Sequence, residues 1–155
     1  MNKISIIIFL AICFLVQSCG ATEVKKMSHP EQISQALSKL LQRSNEDAFV
    51  IFEDTKTKKY VQFAGRTREP LLLNIPFVAL TPLELERAKK LFEEYKIKPE
   101  ETPVSDYKGG PVTGKQSHFY MKLGNDTKRA TEITLRIFSE VYMLPPDFKL
   151  GVEEN

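Results

Sequence analysis

AFVIFEDTKTKKYVQFAGRTREPLLLNI, residues 48–75, decides the fold. Its opening run, Ala48 to Phe52, is too short for a stable helix and rich in β-formers, so it predicts a central strand. Asp54 to Lys58 is polar enough for a turn, after which Val61 and Phe63 alternate with Tyr60 and Gln62 along Lys59–Ala64. Gly65 to Glu69 turns the chain again, and Leu71, Leu73 and Ile75 alternate along a third strand. Three strands joined by short turns make an antiparallel meander.

Helices are predicted on either side. Ser28-His29-Pro30-Glu31 fits a capping box, and Ile33, Ala36, Leu37, Leu40 and Leu41 then fall on one helical face. Thr81-Pro82-Leu83-Glu84 repeats that start, with Leu80 and Leu85 at the hydrophobic-staple positions. This second helix runs to about Ile97 with Leu85, Ala88, Leu91, Phe92 and Tyr95 inward, and Pro99 stops it. Residues 98–115 carry three Pro and three Gly and read as a long loop, with room for a short strand at its end. Ser117 to Leu123 alternates, placing Phe119, Met121 and Leu123 inward and His118, Tyr120 and Lys122 outward. Asn125 or Asp126 caps a third helix with Ala130, Ile133, Ile137, Val141 and Leu144 on one face, and Glu132 stands four residues before Arg136 as a supporting pair. Pro145-Pro146 ends it, and the tail suits an edge strand or an extended arm. The expected fold class is α+β: helix, three-strand antiparallel meander, helix, long loop, strand, helix, in a single domain over residues 28–155.

The domain is preceded by a different kind of sequence. Ile4 to Val16 is almost uninterruptedly apolar, follows Lys3, and is closed by Ser18 and Cys19, which is a signal-peptide layout over residues 1–18. The apolar stretch is shorter than the roughly 20 residues a membrane-spanning helix needs. Val16-Gln17-Ser18-Cys19 resembles the lipobox of bacterial lipoproteins. The resemblance implies cleavage between Ser18 and Cys19, thioether lipidation of Cys19, acylation of the new amino terminus and residence in the bacterial cell envelope. Gly20 follows where an Asp would signal inner-membrane retention in enteric bacteria, so the outer membrane, facing the periplasm, is the expected destination. An ordinary secretory signal cut after Ala21 is the alternative, but it discards Cys19 without using it. Residues 19–27 then form a lipidated tether, since Gly20 to Met27 is short, polar and aperiodic. Two or more acyl chains on one cysteine give stable attachment.

Composition limits the partners. Without Lys3 the chain carries 21 basic against 20 acidic side chains, a balance that argues against a nucleic-acid binder dependent on phosphate neutralisation. Gly109-Gly110-Pro111-Val112-Thr113-Gly114-Lys115 has the spacing of a phosphate-binding loop, yet Gln116 replaces the required hydroxyl and a strand follows where a helix is needed. His29 and His118 have no ligand or nucleophile motif around them, so no catalytic residue, metal or other cofactor is expected. Glu84, Glu86, Glu93 and Glu94 read as solvated helix charges, and Lys56, Lys58, Lys59, Arg66 and Arg68 as turn residues that keep hairpins soluble.

The element order resembles the small α+β chaperones of type III secretion and the YbjN-like (TY-Chap) peptide-binding domains. The stretches that carry the likeness are Ala48–Glu53, Lys59–Gly65, Leu80–Leu85, and Ile137–Tyr142 with Pro145-Pro146-Asp147. The resemblance implies a non-enzymatic, chaperone-like domain that binds a polypeptide or protein partner, often as a homodimer. Tyr60, Tyr107 and Tyr120 are the expected binding anchors, on the strands Lys59–Ala64 and Ser117–Leu123 and the loop between Pro99 and Lys115. An immunity-type inhibitor of a toxin and a small envelope hydrolase are the alternative functions.

Overall fold

A computed structural model describes residues 27–105 and 110–155. Ser18, Cys19, the tether through Lys26 and Tyr107 lie outside the described residues. The elements run α1 (His29–Leu40), β1 (Phe49–Asp54), β2 (Tyr60–Arg66), β3 (Glu69–Pro76), α2 (Pro82–Glu94), β4 (Glu100–Ser105), β5 (Val112–Gly124), α3 (Thr127–Arg136) and β6 (Leu150–Glu154). The six strands form one antiparallel sheet in the order β4-β5-β3-β2-β1-β6. The chain is α+β, as its patterning predicts.

Alternation creates two unlike faces. Val50 and Phe52, Val61 and Phe63, Leu71, Leu73 and Ile75, and Phe119, Met121 and Leu123 all point to one side, where they are buried with the apolar stripes of the helices. At the centre, Phe119 stacks on Phe92 of α2 at 4.4 Å and meets Phe77 at 4.9 Å. The helix starts fall where the capping residues put them. Glu31 accepts from the Ser28 backbone N–H at 2.7 Å, Glu84 accepts from that of Thr81 at 2.8 Å, and Asp126 accepts from Arg129 N–H at 2.9 Å.

Several expectations are corrected. The segment 98–115 is not one long loop, because β4 pairs with an extended β5 to make a hairpin. It shows no hydrophobic alternation because only Thr102 in β4 is even partly buried, so neither face had to be apolar. The second helix ends at Glu94 and not at Ile97, with Lys96 in the left-handed region at φ 58°. The third helix gives way after Arg136 to a π-helical turn, Ile137–Val141, which still buries Ile137, Phe138 and Val141. Arg136 turns to Glu140 and Glu94 in place of Glu132, and its fork also reaches the Tyr95 hydroxyl at 3.1 Å. The tail is an edge strand: β6 pairs with β1, and Arg43 holds Glu154 and the Asn155 carbonyl.

Asp54 fastens this tail. It is 3% exposed and accepts from Thr57 N–H at 2.9 Å, from the Thr57 hydroxyl at 2.6 Å and from Lys149 N–H at 3.2 Å, just before β6. Burial by itself would raise its pKa, but the hydrogen bonds from Thr57 and Lys149 outweigh it and hold the carboxyl below its ordinary value. A depressed carboxylate contributes stability that is present above the ordinary pKa of about 4 and is lost as pH falls through the lower folded-state value. Asp54→Ala is therefore expected to cost about 2 kcal/mol at neutral pH by orphaning buried donors. Urea unfolding from neutral to acid pH checks this: the difference from wild type should shrink on acidification, and a constant difference would exclude the carboxylate as its origin.

Candidate functional site

The three helices share one face of the sheet, and no described element covers the other. Two rows of paired residues cross this open face. Ile51, Gln62, Asn74 and Tyr120 stand opposite one another in register on β1, β2, β3 and β5, and Phe49, Ala64, Leu72 and Lys122 form the neighbouring row. Of these, only Lys122 is exposed; the rest are half-buried, leaving a mixed apolar and amide surface. Tyr60 lies beyond Gln62 on β2, opposite Glu53.

Tyr60 and Tyr120 are thus both half-buried on the side away from the core. They do not sit on neighbouring strands, because β3 separates β2 from β5 and puts Asn74 between them. The third expected anchor, Tyr107, lies outside the described residues.

His118 is not the solvent-facing residue that alternation suggests. It is 7% exposed, stacks on Tyr120 with ring centres 5.1 Å apart, and holds Asn74 Oδ1 through Nδ1 at 2.9 Å. An amide oxygen only accepts, so Nδ1 carries the hydrogen and Nε2 keeps its lone pair. That Nε2 is buried without a hydrogen-bond partner among the described residues, and burial lowers the ring's pKa, which keeps the imidazole neutral at pH 7. The expectation failed because pairing of β5 between β3 and β4 surrounds His118 with Pro76 and Glu100, which strand alternation alone cannot reveal.

Glu84 is also corrected. It is 8% exposed, because besides closing the α2 cap it pairs with Lys59 at 2.8 Å. Burial would raise its pKa, but the bonds from Lys59 and Thr81 prevail and hold it below the ordinary carboxylate range. Lys59 lies over the Tyr142 ring at 5.7 Å, and the Tyr142 hydroxyl donates to the Tyr60 carbonyl at 2.7 Å. This network links the helical layer to the backbone of β2 beneath the open face. Of the basic turn residues, Lys58 pairs with Glu53 and Arg66 with Glu69, so these charges are engaged locally.

Chemically, the open face offers aromatic rings, amides and one neutral imidazole. His118 has Asn74 and Tyr120 as its polar and aromatic neighbours, while His29 packs its ring against Phe148 at 4.3 Å on another part of the molecule. Among the described residues, no group of three His, Cys, Asp or Glu side chains is placed to hold a metal ion. Lys115, from the stretch with phosphate-loop spacing, lies in β5 and pairs with Glu101 at 3.1 Å. No described helix is long and apolar enough to cross a membrane. No protein-family model, curated protein or solved structure matches this chain.

Proposed function

We propose that the protein is a bacterial lipoprotein, anchored in the cell envelope through lipid on Cys19, whose domain holds a polypeptide or protein partner and carries no chemistry of its own. The observation that supports the binding role is the open sheet face: four strands present Phe49, Ile51, Leu72, Tyr60 and Tyr120 among amides, with no described element packed over them. Half-buried aromatic rings beside hydrogen-bonding amides suit a polypeptide, whose backbone needs donors and acceptors and whose side chains need apolar area. The outer edge of β4 gives a second means of engagement, by strand addition. A homodimer is compatible with either surface.

Two measurements test this. Crosslinking in cells followed by recovery of the membrane-bound protein should return polypeptides; a single stoichiometric toxin would turn the reading to immunity, and an absence of any partner would remove both. Replacing Tyr60 and Tyr120 by Ala together should weaken that capture at least about tenfold, as loss of two aromatic anchors does. Because both residues lie off the core, the double variant should lose no more than about 2 kcal/mol of stability. Full binding by a folded double variant would move the site off this face.

A further inference from the structure

On the helical side of the molecule, the start of α1 and the turn after α3 enclose a groove of about 900 Å³. Its apolar lining includes Met27, Phe138, Leu144 and Phe148, and the Phe148 ring lies 4.7 Å from that of Phe138. Met143, which precedes Leu144 in the chain, is 61% exposed and in the left-handed region at φ 56°. That backbone conformation is costly for a residue with a Cβ. It is imposed from both sides, since Tyr142 is tied to Tyr60 and Leu144 N–H donates to the Phe138 carbonyl at 2.9 Å. An unbranched apolar side chain is thereby exposed one residue before the groove-lining Leu144.

The position of the preceding chain says what this surface meets. Met27 lines the groove and is 39% exposed, and Lys25 and Lys26 immediately precede it in sequence. Cys19 is eight residues back, and eight residues span at most about 29 Å even when fully extended. A lipid on Cys19 thus confines the groove to the neighbourhood of the bilayer surface. The groove's own Lys149 is offset by Asp147, and the positive balance that suits anionic headgroups comes from Lys25 and Lys26 in the sequence just before Met27, while Met and Phe side chains suit the boundary with the acyl chains.

We propose that the face formed by Met27, Met143, Leu144 and Phe148 docks on an anionic lipid bilayer and fixes the orientation of the domain. The proposal rests on the lipoprotein reading of Cys19 and adds a second contact to it. Because this groove belongs to the helical layer and Tyr60 and Tyr120 lie across the sheet, docking leaves the open face free for a partner.

The test uses the chain purified from membranes and reconstituted in vesicles of phosphatidylethanolamine and phosphatidylglycerol doped with a lipid bearing a diazirine on its acyl chain. After irradiation, adducts should concentrate on Met27 and on residues 143–148. Val78, Leu83 and Val112, apolar residues at least as exposed as Met143, should stay unlabelled and serve as internal controls. Met143→Asp should lower the labelling of Leu144 and Phe148 about tenfold, the change expected from losing one buried Met side chain. Even labelling of patch and controls, or labelling indifferent to Met143→Asp, would overturn the proposal. The intact mass of the purified chain reports separately whether Cys19 carries lipid. Where it does not, the lipoprotein reading fails by itself, and a Cys13→Ser chain coupled through Cys19 to a maleimide lipid gives the docking readout independently.

Discussion

Cys19→Ser is expected to release the protein from the membrane entirely while leaving its folding intact. A thioether cannot form on a serine hydroxyl, and no described helix can take over as an anchor. The position also precedes the start of α1 by ten residues in sequence. Fractionation with a salt wash reads the result, and the thermal unfolding of the soluble domain should match wild type. A variant trimmed between residues 18 and 19 and still bound after the wash would end the lipoprotein interpretation.

Phe119→Ala is the substitution with the largest expected cost to the fold, about 3–5 kcal/mol, a large share of the 5–15 kcal/mol that holds a typical domain together. Phe119 is 1% exposed at the place where β5, α2 and the turn after β3 converge, with its ring stacked on Phe92 and against Phe77. Truncation removes both ring contacts, and the facing backbone is fixed by pairing with Ile75, so the space cannot readily close. Phe119→Leu keeps most of the volume and should recover about half of the loss. Urea midpoints for the two variants check the order; equal stability of Phe119→Ala and wild type would mean that this junction is not tightly packed.

The sequence was most readable where the controlling physics is local. Thr81-Pro82-Leu83-Glu84 contains its own helix start, because the residues that satisfy the first amides are three apart in the chain. The strands β1, β2 and β3 announce themselves by alternation because one face of each had to be apolar. β4 lacks that signal since neither of its faces is buried, and its existence depends on pairing with β5, whose partner residues lie between seven (Ser105 and Val112) and eighteen (Glu100 and His118) positions further along the chain. Tyr60 and Tyr120 could be assigned to the face away from the core from parity alone, whereas their separation by β3 could not, because strand order is a matter of which non-local pairs form.

By itself, then, the chain determined the α+β class, the helix starts, and the side of β1, β2, β3 and β5 that faces the core. The tertiary structure alone decided that Glu84 is sheltered with Lys59, that Arg136 takes Glu140 and Glu94, and that His118 is buried between β3 and β4. It also decided that Met27, Phe148 and the turn at Met143 share one end of the helical layer. The division has one physical cause: capping and alternation act over a few residues, but the partner of a charge and the cover over a side chain are set by segments that meet only when the sheet closes against its helices.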